Sequence, residues 1–195
     1  MKNKYKLKDL VDIRVGLPLE RKKAKLSSSE QLSYQALTLK SFGNNAHNEQ
    51  LYHETFIADS AIDSRYTTAQ DNVIVRLRVP NNAIYINDKH TGLLVSSIMA
   101  IIDNLYPEVL SSKFLTYYLN SQYIQNQLVK SNQGTSIIMT KIAELLELDI
   151  NLPSLQQQYK IINYLELANQ EINLLQQLVN EKNKLKTNIF ETLIK

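Results

Sequence analysis

The side chains that most often carry out acid–base, nucleophilic or metal chemistry are few and scattered in this sequence. Its three histidines, His47, His53 and His90, lie in polar loop or strand contexts without the helical spacing that binds zinc. Cysteine is absent, which excludes disulfides, thiolate metal ligands and a cysteine nucleophile. No two glycines lie closer than the 27 residues between Gly16 and Gly43, which excludes a dinucleotide fingerprint and a P-loop. The sequence therefore indicates a binding protein rather than an enzyme.

Positive charge is the remaining chemical signal, and it is concentrated at the start of the chain. Residues 1–25 contain nine Lys or Arg and three acids, whereas the whole chain has a net charge of +3. Such a cluster can bind DNA phosphates, and it can equally be a solvated, solubilising end. No apolar run approaches the roughly 20 residues that span a bilayer, and no signal peptide is recognisable. Together with the missing cysteine, these observations favour a cytoplasmic protein.

Two kinds of element must position these residues, because the hydrophobic period changes near the middle of the chain. Short alternating segments separated by polar loops predict strands at 11–15, 34–42, 52–59, 72–79 and 83–86 and a β-rich run at 93–103. Helical spacing begins after Pro107 and predicts a helix over 108–130, then a brief helix over 140–148 and an extended segment at 148–153.

The last predicted element is one helix over 154–195. Ser154 is a suitable N-cap, and no Gly or Pro follows it. At 1.5 Å per residue this helix would be roughly 60 Å long. The predicted fold class is α+β: a mixed β-rich domain with packed helices over 1–153, followed by a single long coiled-coil helix.

A heptad frame along this helix places apolar residues at eight of ten core positions. The apolar members are Ile161, Leu165, Ala168, Ile172, Leu175, Val179, Ile189 and Leu193. The exceptions, Lys182 and Lys186, oppose a same-register parallel pair because like charges would face each other. The helix could fold back onto its own domain, but roughly 60 Å is far more than a domain of this size needs. We expect the stripe to pack against a partner helix, from a second copy or another protein, in an antiparallel arrangement.

Residues 107–165 carry an ordered set of motifs. A helix containing KFLTYYLNSQYIQNQL precedes a QGTS loop, the segment KIAELLELDINLP and the segment LQQQYKIINYL that begins the long helix. This pattern resembles the specificity (S) subunit of Type I restriction-modification systems. The matching residues are Leu119, Asn120, Ser121, Gly134, Thr135, Leu152, Pro153, Leu155, Gln158, Ile161, Ile162 and Leu165. The segments YKLKDLVDIRVG and DNVIVRLRV also resemble the family, so the resemblance covers nearly the whole chain.

The resemblance implies a protein that reads DNA and directs other subunits. A full S subunit has two target recognition domains and two conserved helices in tandem, whereas this sequence has one of each and no internal repeat. We expect a half-subunit, or a fragment of a longer S subunit, that pairs with a second copy and reads an interrupted palindrome. The implied partners are double-stranded DNA, DNA methyltransferase (M) subunits and the restriction (R) subunit, with no cofactor or metal.

The resemblance also implies that three loops grip the duplex: ERKKAK, NDKHTG and KSNQGTS. Lys and Arg would bind phosphates, and Asn, Gln, His, Ser and Thr would reach base edges. The candidate DNA-binding residues are Arg21, Lys22, Lys23, Lys25, Lys40, Lys89, His90, Thr91, Lys130, Asn132, Gln133, Thr135 and Ser136. Each of them can equally be an ordinary loop residue.

Two other functions compete with this interpretation. An interaction or decoy protein would use its helix to occupy the S-subunit slot, and it would bind the methyltransferase without DNA specificity of its own. A small nuclease or methyltransferase would need catalytic motifs that the sequence lacks. DNA selectivity with the methyltransferase present, and methylation by the chain alone, separate these three hypotheses.

Overall fold

Eight strands and four α-helices make up the parts of the chain that the structure, a computed structural model, describes: residues 3–25, 31–43, 51–131 and 139–193. The strands are β1 Asn3–Lys6, β2 Val11–Val15, β3 Leu32–Leu37, β4 His53–Ala58, β5 Val73–Arg76, β6 Ala83–Tyr85, β7 Met99–Asn104 and β8 Asp149–Leu152. The helices are α1 Ser112–Asn120, α2 Gln122–Ser131, α3 Ile142–Leu146 and α4 Leu155–Leu193. The predicted α+β class, with a β-rich domain before one long helix, is confirmed.

An antiparallel sheet in the order β2-β7-β5-β6 forms the centre of the domain. Side chains alternate across it, because successive residues of a strand point to opposite faces. Val73 and Val75 join a core shared with the helices, whereas Ile74 between them joins a second core with Leu37 and Met99. The sheet therefore separates a helical face from a face covered by β3 and the loops around it.

The predicted strand over 72–79 is confirmed only for Val73–Arg76. Beyond it the chain leaves the sheet, since Arg78 forms an isolated antiparallel bridge with Met139. Pro80 follows shortly after and has no N–H to donate to a strand ladder. The alternating pattern thus continues past the point where backbone pairing in the central sheet ends.

The prediction of one helix over 108–130 is wrong, because α1 and α2 are separate helices. Helix α1 begins at Ser112 rather than near Pro107, and the Ser111 hydroxyl accepts a 3.5 Å hydrogen bond from the backbone N–H three residues on. At Ser121 the backbone is extended, with ψ 143°, and the side-chain hydroxyl bonds the carbonyl three residues back at 2.7 Å. The apolar residues that predicted the helix by their spacing are nevertheless buried, apart from the half-buried Tyr118: Leu110, Phe114, Leu115, Leu119, Ile124 and Leu128.

Strand β1 pairs antiparallel with β8, so the start of the chain lies beside the root of α4. Lys4 and Lys6 form ion pairs with Asp149 at 3.1 and 3.0 Å, and Lys8 contacts Glu147 at 2.7 Å. The hydrogen bond from Lys8 lowers the pKa of Glu147, and those from Lys6 and Lys4 lower the pKa of Asp149. This exposed cluster of charges reinforces the pairing of two strands that are far apart in the sequence.

Helix α4 begins with a reciprocal cap, which confirms Ser154 as its N-cap. The Ser154 hydroxyl accepts from the N–H of Gln157 at 3.4 Å, and Gln157 Oε1 accepts from the N–H of Ser154 at 3.2 Å. Its first turns pack on the domain, where Gln158 and Ile162 are buried. Every residue from 170 to 193 is exposed, which is about 36 Å of helix. The helix therefore leaves its own domain instead of folding back onto it.

Candidate nucleic-acid interface

A two-stranded ribbon, β3 paired antiparallel with β4, stands beside the central sheet. Tyr34, Ala36 and Phe56 on one face pack into a small core with Leu17 and Leu94. The other face is exposed along most of the ribbon and presents Ser33, Gln35, His53, Thr55 and Ile57. The ribbon therefore has one anchored face and one face that offers mainly hydrogen-bonding side chains to a partner.

Three polar side chains on the exposed face are joined by hydrogen bonds. Gln35 Oε1 lies 2.8 Å from His53 Nδ1, and Gln35 Nε2 donates to Thr55 Oγ1 at 3.3 Å. Because an amide oxygen only accepts hydrogen bonds, His53 Nδ1 carries the proton in this contact. The three side chains hold one another in a fixed orientation, although all of them are solvent-exposed.

The basic ERKKAK segment runs along the edge of this ribbon. Its backbone pairs with the end of β4: Ala24 N–H donates to the Ile57 carbonyl at 2.9 Å, and Asp59 N–H donates to the Lys22 carbonyl at 3.0 Å. Lys22 Nζ donates to Ser60 Oγ at 3.0 Å and is half-buried. The remaining predicted cations of the segment, Arg21, Lys23 and Lys25, are exposed.

Lys40 lies at the other end of the ribbon, in the 3-10 turn Leu39–Phe42 rather than in the strand predicted over 34–42. It lines a cleft of ≈ 470 Å³ together with residues of β3 and β4 and with Leu19. Leu19 opens the 3-10 turn that carries Arg21. The fold thus brings the predicted phosphate-binding residues of the segment 22–25 and Lys40 to the same ribbon.

The NDKHTG loop approaches the same region. Lys89 and Thr91 are exposed, whereas His90 is half-buried and its Nδ1 lies 2.8 Å from Asn87 Oδ1. Burial first, then the positive charges of His53 and Lys89, lower the pKa of His90. Leu94, just past this loop, bridges Ala36 of β3, so the loop lies beside the ribbon. Because the pKa of His90 is lowered, its ring is neutral near pH 7 and contributes hydrogen bonds rather than charge.

Only the first residue of the third predicted loop, Lys130, lies among the residues that the structure describes with their side chains. Lys130 is exposed at the end of α2, and α2 packs against α1 and α3 on the helical face of the central sheet. Asn132, Gln133, Thr135 and Ser136 lie outside the described residues. Among the described candidates, Lys130 therefore lies apart from the residues at the ribbon, and the contacts of all predicted residues with DNA stay predictions.

Gln35, His53 and Thr55 were missed by sequence reasoning as candidate binding residues. The signal that could have found them is the alternation of β3 and β4, in which polar side chains take positions where a buried strand would carry apolar ones. The contact between Gln35 and His53 joins residues that are 18 positions apart, which no local pattern reveals.

The predicted heptad stripe on α4 is exposed beyond the root of the helix. Ile172, Leu175 and Val179 are 59%, 54% and 51% exposed, whereas Leu165 and Ala168, closer to the domain, are half-buried. Ile161, Ile189 and Leu193 are exposed as well. Leu167, Leu174, Leu178 and Leu185 add further exposed apolar surface beside the stripe. An exposed apolar surface of this size indicates an interaction site.

Among the described residues, no group of three or more His, Asp or Glu side chains could hold a metal ion. Within the same ranges, no helix combines the length and the apolar character needed to cross a bilayer.

Comparison with known proteins gives a result only at the level of structure. No protein-family model matches the sequence. No curated protein matches it either.

Solved structures, in contrast, match nearly the whole chain. The HsdS subunit from Thermoanaerobacter tengcongensis superposes with a TM-score of 0.70 at 17% identity over 94% of this chain. The fold is that of an HsdS subunit. An S subunit of the Type I restriction-modification system from M. genitalium matches over 94% of the chain with a TM-score of 0.56 at 19% identity. A structure from a study of complex assembly in the type I R-M system matches over 93% of the chain with a TM-score of 0.62 at 18% identity.

The HsdS likeness confirms the fold that the sequence resemblance implied. The match includes the domain and α4, because it covers more than nine-tenths of this chain. The chain spans less than half the length of each of these structures: 46%, 41% and 43%.

Proposed function

We propose that this chain is the DNA sequence-recognition subunit of a Type I restriction-modification system. As a half-subunit, it pairs through α4 with a second copy, reads a bipartite palindromic site and directs methyltransferase and restriction subunits there. It contributes no catalytic group of its own. The likeness of 94% of the chain to an HsdS subunit supports this assignment.

The single observation that carries the pairing is the exposed apolar stripe on the part of α4 that leaves the domain. Burying a side chain the size of Leu or Ile stabilises by about 1.5–3 kcal/mol. Ile172, Leu175 and Val179 are all more than half exposed in the isolated chain. Exposure of these side chains to water is therefore unfavourable, and a second helix packed against α4 would bury them.

The two lysines in the stripe favour an antiparallel pair of identical helices, because a same-register parallel pair would place like charges opposite each other. The ten core positions are symmetric about residue 177, so every core residue faces another core position when two copies run in opposite directions. The opposing pairs are 161 with 193, 165 with 189, 168 with 186, 172 with 182 and 175 with 179. Lys182 then faces Ile172, and Lys186 faces Ala168. Each lysine can lay its aliphatic stem over the apolar partner and keep its ammonium group in water.

This arrangement fixes the distance between two DNA-binding domains. Helix α4 has 39 residues and is about 58 Å long, which corresponds to about 17 base pairs at 3.4 Å each. Two identical domains related by a two-fold axis read the same sequence on opposite strands. The expected target is thus an interrupted palindrome whose spacing does not exceed that length.

The test is methylation-site mapping with the complete complex. The chain is purified with the methyltransferase subunits of its own system and incubated with genomic DNA and methyl donor, and the modified positions are sequenced. We expect a single two-part palindromic motif. A stable complex without any motif would support the decoy alternative, and methylation by the chain alone would show that it is an enzyme.

A further inference from the structure

We propose that Gln35 reads the major-groove edge of an adenine in the DNA target, held in place for this by His53 and Thr55. This inference rests on the proposed function, and it assigns one base of the target to one side chain. It also assigns base recognition to the exposed face of the β3–β4 ribbon, whereas the sequence had pointed to the loops.

The hydrogen-bond capacity of the Gln35 amide points to adenine. The carbonyl oxygen of an amide has two lone pairs and its nitrogen has two N–H donors. His53 uses one lone pair at 2.8 Å, and Thr55 uses one N–H at 3.3 Å. One acceptor and one donor remain. Adenine offers the matching N6–H donor and N7 acceptor in the major groove, where Gln binds it through two parallel hydrogen bonds.

The same two contacts prepare Gln35 for binding. A free glutamine side chain loses rotamer freedom when it binds, which lowers its affinity. Gln35 is exposed, yet its amide is already oriented by a neighbour on each side. Thr55 lies directly opposite it on β4. The ribbon therefore presents the amide in a fixed position before DNA arrives.

The surroundings of the ribbon suit duplex DNA. The major groove is about 12 Å wide and admits a two-stranded β-ribbon. Arg21 and Lys23 are exposed on the segment beside β4, and Lys40 is exposed past the end of β3. Cations at both ends of the ribbon can bind the phosphates that border the groove. Ile57, 37% exposed on the same face, can contact a thymine methyl group.

The inference is tested by selecting bound sequences from a random-duplex library. The full chain is used in complex with its methyltransferase subunits, at one fixed salt concentration. Gln35→Ala is expected to lose the preference for adenine at one motif position by roughly 5- to 150-fold, with the other positions unchanged. Gln35→Glu is expected to turn that preference toward cytosine, because a carboxylate accepts a hydrogen bond from cytosine N4.

Two variants serve as controls. Gln122→Ala removes an exposed glutamine on α2, on the helical face of the sheet, and is expected to leave the motif unchanged. Lys40→Ala is expected to weaken binding to all duplexes alike and to reduce its salt dependence.

The outcomes separate this inference from the function on which it rests. If the parent chain selects a motif and both Gln35 variants select the same one, the inference is wrong and the proposed function stands. If the Gln35 variants weaken all sequences equally, Gln35 has only a structural role and the inference is again wrong. If the parent complex selects no motif, both are wrong.

Discussion

Gln158 is the residue whose replacement tests most sharply how α4 is attached to its domain. Its side chain is fully buried, at 0% exposure, within the first turns of the helix. Its Oε1 accepts from the N–H of Ser111 at 2.9 Å, and its Nε2 donates to the carbonyls of Val109 and Pro153 at 2.8 and 3.0 Å. One amide thus satisfies three backbone groups, two just before α1 and one just before α4.

Gln158→Leu keeps the approximate size of the side chain and removes all three hydrogen bonds. Each buried backbone group left without a partner costs about 1–3 kcal/mol. Water can reach part of this junction, because Val109, Ser111 and Pro153 are only half-buried. We therefore expect a loss of about 3 kcal/mol in the free energy of unfolding. In a chain of this size that corresponds to a Tm lower by about 6–12 °C.

The neighbouring glutamines provide matched controls. Gln156 is exposed, and Gln156→Leu is expected to change stability by less than about 0.5 kcal/mol. Gln157 completes the cap of α4, so Gln157→Leu is expected to cost about 0.5–1 kcal/mol. The assay is urea unfolding at fixed protein concentration, followed by circular dichroism and by tyrosine fluorescence. The reasoning is refuted if Gln158→Leu is no more destabilising than Gln156→Leu.

Three further results are expected. Leu175→Asp places two carboxylates near the centre of the antiparallel pair and should raise its dissociation constant at least ~100-fold, measured by light scattering, while the Tm of the monomer stays unchanged. Gly16→Ala should cost about 1–3 kcal/mol in thermal unfolding, because the added Cβ would lie 2.4 Å from two backbone carbonyl oxygens, whereas Ser33→Ala should not. Folding lowers the pKa of Glu147 and Asp149, so their contribution is present above their unfolded pKa values, near 4.5 and 3.8, and is lost as pH falls further. Glu147→Gln should remove part of this acid sensitivity in pH-dependent unfolding; an unchanged profile would contradict the assignment.

Elements with a strong local signal were predictable from the sequence. The start of α4 follows from Ser154 and from the absence of Gly or Pro after it, and the structure adds a reciprocal cap with Gln157. The alternation of Val73 and Val75 likewise predicts a strand, which lies at the centre of the sheet. In these segments the period of the apolar residues and the backbone geometry agree.

Features that depend on contacts between distant residues were not predictable. The break at Ser121 interrupts an apolar face that continues unchanged on both sides of it, so the hydrophobic period alone conceals it. The burial of the polar Gln158 side chain is explained only by the backbone groups just before α1 and α4 to which it is hydrogen-bonded. The Gln35–His53 contact likewise exists only because β3 and β4 pair in one particular register.

The pairing of β1 with β8 has a consequence for how two such units can be joined. Asn3 lies opposite Leu152, immediately before the root of α4. If the α4 helices of two copies pair antiparallel, residue 193 of one copy lies level with residue 161 of the other. Along the helix axis it is then some 15 Å from the first strand of that other copy. Five or six extended residues bridge such a gap. A short linker could therefore join the two units in one polypeptide. Pairing of the two helices would then be intramolecular and independent of protein concentration.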